Sequence, residues 1–401
     1  MRVKSIDEID LKGKRVFVRV DFNVPLDEEG NILDDNRIRT VLPTLNFALD
    51  AGAKVIVASH LGRPQGKRDE KYSLRPCGVR LGRLLSKNVR MAPDCVGPQV
   101  ETLVNGLQDG DVVLLENLRF HKEETDNDAT FAQGLARLAD VYINDGFAVA
   151  HRVNASVVAI THFVGECGVG FLMKKELKAF SQVIENPRRP LVAILGGAKV
   201  GDKVGALSHF VDRADKVIVG GAIGTTFLKA NGIDPGRSRV EDDLVPVAKD
   251  ILQKAHEKGV KFYLPVDCVA AQERNATSPV LIRPVQEIPD EWMALDIGPA
   301  SVTLFSEVIE DARTIVWNGP MGVYEMDSFS RGTFGLIRKV ASSYAFTVLG
   351  GGDLDMAIHL TGEADNISYI STGGGAFVEL LSGKTLPAIL ALMDGGGTRT
   401  S

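Results

Sequence analysis

The chain is poor in the features that mark specialised proteins. Its only four cysteines, Cys77, Cys95, Cys167 and Cys268, are far apart and form no CxxC pair. That usage argues against a disulfide framework or a structural zinc, and for reduced thiols in a cytoplasmic protein. Basic residues are not in excess: the formal net charge of -6 argues against nucleic acid or an anionic membrane as the main partner. No apolar run approaches the roughly 20 residues of a membrane span. The opening stretch MRVKSIDEID lacks the apolar core of a signal peptide. HExxH, GxSxG and a GxGxxG after a strand are missing, and the seven histidines show no metal-ligand spacing. A P-loop is also missing, although ISTGGGAFVELLSGKT ends in its last three letters. The P-loop needs a glycine five residues before the glycine of GK(S/T), and position 378 is Val.

What is present is ordinary globular composition, 44% hydrophobic and 24% charged, in a 401-residue chain too long for one core. Short apolar runs alternate with amphipathic stretches. In the first half the runs are RVFVRV (15–20), KVIVAS (54–59), VVLL (112–115), VYIN (141–144) and SVVAI (156–160). In the second half they are PLVAIL (190–195), KVIVG (216–220), KFYLPV (261–266), TIVWN (314–318), FTVLG (346–350) and ISYIS (367–371). Near-continuous apolar strands between helices predict parallel sheets covered on both faces, an α/β architecture. The segment GFLMKKELKAFSQVIENPRRP reads as a helix stopped by Pro187 and Pro190, which puts a domain boundary near Glu185, between segments 1–185 and 186–401. The terminal GGGTRTS reads as a loose tail.

The halves differ in the residues that come directly after their strands, where open parallel sheets bind ligands. First-half strands run into Arg63, Arg119 and Arg152, accompanied by His60, His151 and the pair Asp21 and Asn23. One such arginine is an ordinary surface residue. The same placement after three strands points to a small, multiply anionic ligand, since the guanidinium fork suits phosphate and carboxylate. Arg37, in DDNRIRT, reads locally as the first turn of a capped helix.

Second-half strands run into glycines, in VAILGGAK, VIVGGAIG, IVWNGPMG, TVLGGGD and ISTGGG. Such turns let backbone N–H groups approach phosphates at a helix N-terminus, although tight packing alone also selects glycine. Lys199 and Lys203 come after the first of these turns, where they are placed to neutralise phosphoryl charge; Lys203 reads equally as a solvated helix residue. Asp353 reads either as an N-cap or as a hard oxygen ligand for Mg2+ on nucleotide phosphates.

RVDFNVP, SHLGRP, LLENLRFHKEE, AHR, ILGGAKVGDK, TFLKANG, WNGPMGVYE, GGGD and STGGGA occur in this order, and with them the chain resembles the phosphoglycerate kinase family over its whole length. The resemblance implies two Rossmann-like, three-layer α/β domains facing across a cleft, hinge-bending, and a monomer acting in glycolysis. It implies that Asp21, Asn23, Arg37, His60, Arg63, Arg119 and Arg152 bind 3-phosphoglycerate or 1,3-bisphosphoglycerate. Gly197, Lys199, Lys203, Gly221, Asn318, Glu325, Gly351, Gly352, Asp353 and Leu354 would bind Mg-ADP or Mg-ATP, with Asp353 near the metal and Glu325 near the ribose. Arg37 and Lys199 would contact the transferring phosphoryl group. The nucleotide domain would be 186–384, and the tail region, about 385–401, would return to the first domain. Three positions depart from the family's pattern: the order Gly146-Phe147-Ala148, Gly201 and Leu354.

Overall fold

The computed structural model describes residues 3–395. Its contacts divide the chain into two units, Met1–Leu177 with the segment from Thr385 onward, and Lys178–Lys384. The first unit is built on six strands, β1 (Arg15–Arg19), β2 (Lys54–Ala58), β3 (Val89–Met91), β4 (Val112–Leu114), β5 (Val141–Asn144) and β6 (Glu166–Val169). They lie in the order β3-β4-β2-β1-β5-β6, with every neighbouring pair parallel. From β1 the chain passes to β2 and the edge strand β3, inserts β4 between them, and then crosses with β5 to the other side. The strand order therefore reverses between β1 and β5, the place where such sheets open a crevice at their carboxyl ends.

The second unit also has a six-stranded parallel sheet, with a different strand order, and a small antiparallel sheet beside it. Its strands are β7 (Leu191–Leu195), β8 (Lys216–Val219), β9 (Lys261–Tyr263), β10 (Asp267–Ala271), β11 (Val280–Pro284), β12 (Met293–Ile297), β13 (Thr314–Asn318), β14 (Phe346–Gly350) and β15 (Tyr369–Ser371). Six of them form a parallel sheet in the order β15-β14-β13-β7-β8-β9, and its order reverses between β7 and β13. Buried Val, Ile and Leu side chains of both sheets pack under helices: Val16, Val18, Val55 and Ile143 share one core, and Ile194, Ile218, Ile315 and Trp317 another. Fully burying such side chains contributes about 1.5–3 kcal/mol each. Trp317 also donates its indole N–H to Gly319 O at 2.7 Å, tying the core to the loop above it.

The predicted α/β class is borne out, but four details are corrected. SVVAI is not a strand. Ser156 gives its N–H and hydroxyl to the Glu124 carboxylate (2.9 and 2.6 Å), and the N–H groups of Val157, Val158 and Ile160 close local turns. The sixth strand is instead β6, the unpromising run ECGV, where a Cβ on Gly168 would lie 2.9 Å from Lys4 O. KFYLPV is strand only over Lys261–Tyr263. β3 and the antiparallel sheet β11-β10-β12 carried no alternation strong enough to be read.

The helix Phe171–Phe180 continues through a π turn to Glu185, and the division between the units falls within it. Asp145, just past β5, accepts the Met173 N–H at 2.9 Å and so holds the helix start; burial raises its carboxyl to about 6. Gly170 is needed there because a Cβ would stand 2.2 Å from the Asp145 carboxyl carbon. After Lys384, the helix Pro387–Gly395 donates the Ala388 N–H to Ala150 O at 3.1 Å, next to His151 and Arg152. The stretch expected to be a loose tail lies, from position 396 on, outside the described residues. Among the described residues no helix is long and apolar enough to cross a membrane.

Candidate functional site

In the first unit, the loops after β1, β2, β4 and β5 gather the predicted cations. Gly62 is the organising residue: its φ is +62°, and a Cβ there would strike the Tyr72 ring at 2.4 Å. Its N–H donates to Asn23 Oδ1 at 2.7 Å and its carbonyl accepts from Arg119 Nη1 at 2.7 Å. One backbone residue thus fixes two predicted site residues. Arg119 is further set by Asn117, whose amide oxygen takes the Arg119 N–H at 3.0 Å. Burial, then the charges of Arg152 and Arg19, lowers the Arg119 guanidinium to about 10, so it stays charged at neutral pH.

Asp21 accepts from Arg37 Nη1, and its other oxygen takes the Asn23 N–H at 3.0 Å and lies 3.8 Å from His60 Nδ1. Arg37 sits on the short helix Asn36–Arg39, where Asp35 forms no side-chain cap, and its side chain is 42% exposed. His60 is buried. Desolvation and the charges of Arg19, Arg119, Arg152 and Arg37 hold its pKa well below 6.5, so the imidazole is neutral. Arg152 Nε is buried without a hydrogen-bond partner, which leaves a donor ready for an anion. Arg63 comes after Gly62 on the same loop and is exposed.

Sequence reading missed Arg19. It is 1% exposed, donates from Nε to Ser156 Oγ at 2.8 Å, and places Nη2 3.3 Å from His60 Nδ1 and 4.0 Å from Glu124. Burial raises the Glu124 carboxyl, while Arg19 beside it acts against that rise. The available signal was a charge inside the apolar run RVFVRV, which is costly unless paired.

In the second unit, Gly196, Gly197, Gly220, Gly221, Gly319 and Gly351 meet at the carboxyl ends of β7, β8, β13 and β14. A Cβ on Gly319 (φ +85°) would lie 2.4 Å from Gly196 O, and one on Gly221 (φ +62°) would lie 2.9 Å from Gly197 N. The N–H groups of Gly197 and Gly221 are already bonded to Pro320 O (2.8 Å) and Met321 O (3.1 Å). Gly221 and Gly319 are therefore required by close packing and Gly197 by its φ of +107°, and the N–H groups of Gly197 and Gly221 are already held by backbone carbonyls. The open helix start is that of Gly352–Thr361, capped by Gly351 (φ +108°), where a Cβ on Gly352 would meet nothing within 4 Å. Asn318 is buried, donates to Gly350 O at 2.6 Å, and leaves Oδ1 without a partner.

Asp353 is the second residue of that helix, so the N-cap reading is corrected: the cap is Gly351. Leu354 points into the core, which leaves only its backbone for a ligand. Lys203 is no solvated helix residue. It precedes the helix Val204–Val211, and burial lowers its ammonium to about 8, with Asp202 and Asp353 acting the other way. Lys199 is exposed on the loop below it, where Glu241 accepts the N–H groups of Val200 (2.8 Å) and Gly201 (3.2 Å). A cavity of about 340 Å³ opens here, lined by Gly197, Gly221, Glu325 and Asp353 and by two unforeseen cations, Arg239 and Arg274. No local pattern marked those two.

The rejected P-loop has a plain structural role. Gly383 (φ +76°) ends the helix Gly375–Leu381, and Lys384 pairs with Glu379 at 2.8 Å.

The phosphoglycerate kinase family model matches residues 6–384. A protein of Geobacter metallireducens named phosphoglycerate kinase is 58% identical over 397 residues, 99% of this chain and 100% of that one. One of Aquifex aeolicus with the same name is 54% identical over 98% of this chain and 99% of its own length. The solved structure of phosphoglycerate kinase from Coxiella burnetii superposes with a TM-score of 0.91 at 37% identity, covering 99% of this chain and all of that one.

Proposed function

Because the chain belongs to the phosphoglycerate kinase family, we propose that its arginine-rich site takes 3-phosphoglycerate or 1,3-bisphosphoglycerate and its glycine-rich site ADP or ATP. The activity is reversible phosphoryl transfer in glycolysis, with a carboxylate as acceptor. The observation that carries the assignment of sites is the division of equipment between two six-stranded parallel sheets. In one, guanidinium groups from separate loops converge, and Arg152 keeps a buried N–H unpartnered. In the other, an open helix start brings its carboxylate, Asp353, to a cavity sized for a small ligand, with the ammonium of Lys203 near that carboxylate.

The acceptor is ionised at neutral pH, so no general base is required. A neutral, buried His60 fits that requirement, since it hydrogen-bonds and orients without removing a proton. Catalysis is then positioning and charge stabilisation of a loose, in-line transition state. Arg37, steered by Asp21, and Lys199 contact the transferring group. Lys203 neutralises charge beside it, and Asn318 and Glu325 orient the nucleoside. Asp353, an exposed carboxylate at a helix start near the ammonium of Lys203, suits Mg2+, which when bound shields phosphate charge. Reactants held by different units must come to about 3–3.5 Å before transfer, so the proposal includes hinge-bending closure, in a cytoplasmic monomer. A coupled assay with 3-phosphoglycerate, ATP and Mg2+ tests it: turnover that requires all three is expected, and nucleotide binding without turnover would overturn it.

A further inference from the structure

The loops after β3 and β4 bring together three metal-ligating side chains that phosphoryl transfer does not use. These strands are parallel neighbours, so their carboxyl-end loops run side by side. Asp94 and Cys95 of one loop thereby meet His121 of the other, and the ligand atoms of all three lie within 4.8 Å of one another. Asp94 Oδ1 is 2.7 Å from His121 Nε2. Arg68 Nη1 donates to Pro93 O at 2.9 Å and the imidazole packs on the Phe131 ring at 5.1 Å, holding the group from outside, while within it the Cys95 N–H donates to Asp94 Oδ1 at 2.7 Å.

Cys95 is fully buried, whereas the side chains of Asp94 and His121 are 42% and 27% exposed. The group is closed on the thiol side and open to water on the other, the form of a site with three protein ligands and one free position. Donors around one tetrahedral ion, with bonds of about 2.0–2.3 Å, stand on the order of 3.3–3.6 Å apart. The observed spacing reaches that with small side-chain shifts. A thiolate, an imidazole and a carboxylate together select a borderline ion such as Zn2+ or Co2+ over Mg2+, which prefers oxygen and water.

We propose that Asp94, Cys95 and His121 bind one divalent ion of the zinc class, with water in the open position. On binding, the thiol proton leaves to solvent, and metal bonds to both partners replace the imidazole–carboxylate hydrogen bond. The site shares the β4 loop with Arg119 but uses none of the residues assigned to the two ligands.

The test is Co2+ titration of the chelator-treated full-length protein in excess Mg2+. One equivalent should give a near-ultraviolet thiolate-to-cobalt charge-transfer band and the visible absorption of four-coordinate cobalt, both removed by Zn2+. Cys95→Ser should abolish the band, and His121→Ala and Asp94→Ala should raise the Co2+ dissociation constant at least about tenfold. Cys167→Ser should leave it unchanged. If Cys95→Ser does not fold, His121→Ala, on the partly exposed side, decides. Absence of the band in the unaltered protein, or its survival in His121→Ala, would overturn the proposal.

Discussion

The two parallel sheets each have six strands and one switch point, but their strand orders differ and they equip their strand ends in opposite ways. The first presents side-chain charge: Arg119 is anchored through Gly62, Arg37 through Asp21, and Arg152 keeps a donor unpartnered. The second removes side chains altogether, packs backbone against backbone at Gly196, Gly221 and Gly319, and leaves a helix start at Gly352. The difference teaches where each site is vulnerable. A site made of guanidinium forks fails when a fork is lost. A site made of close-packed backbone and a few charges fails through its carboxylate and its ammonium, and shows this in metal and pH dependence.

The largest expected effect is from Arg119→Ala. Truncating a partly buried, hydrogen-bonded charge costs about 2–5 kcal/mol of binding. By titration calorimetry, 3-phosphoglycerate affinity should fall by that amount while ADP affinity stays the same. Equal losses for both ligands would merge the two sites. Arg37→Lys keeps the charge and removes the fork. Turnover should drop on the order of 10²–10³, the usual cost of one transition-state donor, with the thermal midpoint steady and 3-phosphoglycerate affinity less affected. Near-full turnover would show that Arg37 does not contact the transferring group.

Asp353→Asn carries the comparison to the other sheet. The carboxylate is not a cap, so its structural share is the helix-dipole term of about 0.3–1 kcal/mol. The Mg2+ concentration for half-maximal rate should rise at least about tenfold, and an unchanged Mg2+ titration would free Asp353 of that role.

The smallest effect is Lys203→Arg. Lys203 holds its proton less tightly in the folded chain, at about 8, than at its ordinary 10.5. Between those values the unfolded chain binds more protons, so this group's contribution to stability rises with pH. Activity that needs the ammonium instead falls as pH passes about 8. The alkaline limb of kcat/KM should therefore lie near 8 and move upward in Lys203→Arg, with only a modest change at pH 7. A limb that stays put would assign it to another group.

Much of this was legible in the chain, because local signals suffice for local structure. Ten of the runs read as strands lie where strands form, since long β-branched segments between helices have no other way to bury both faces. The residues just past them were therefore assigned correctly to strand ends, Arg119 and Asp353 among them. What the tertiary structure alone decided rests on long-range pairing. SVVAI has the composition of a strand, but Glu124 takes the Ser156 N–H, and the sheet edge goes to ECGV. Lys203 reads equally as a phosphate partner or a solvated helix residue until other elements half-bury it. Arg19 is placed beside the predicted site residue His60 by Ser156 and Glu124, all distant in sequence. His121 meets Cys95 only because β3 and β4 are neighbours. Residue type and spacing along a chain set which groups a strand end can offer, but only the lateral order of the strands decides which of them meet, and in what state of burial and charge.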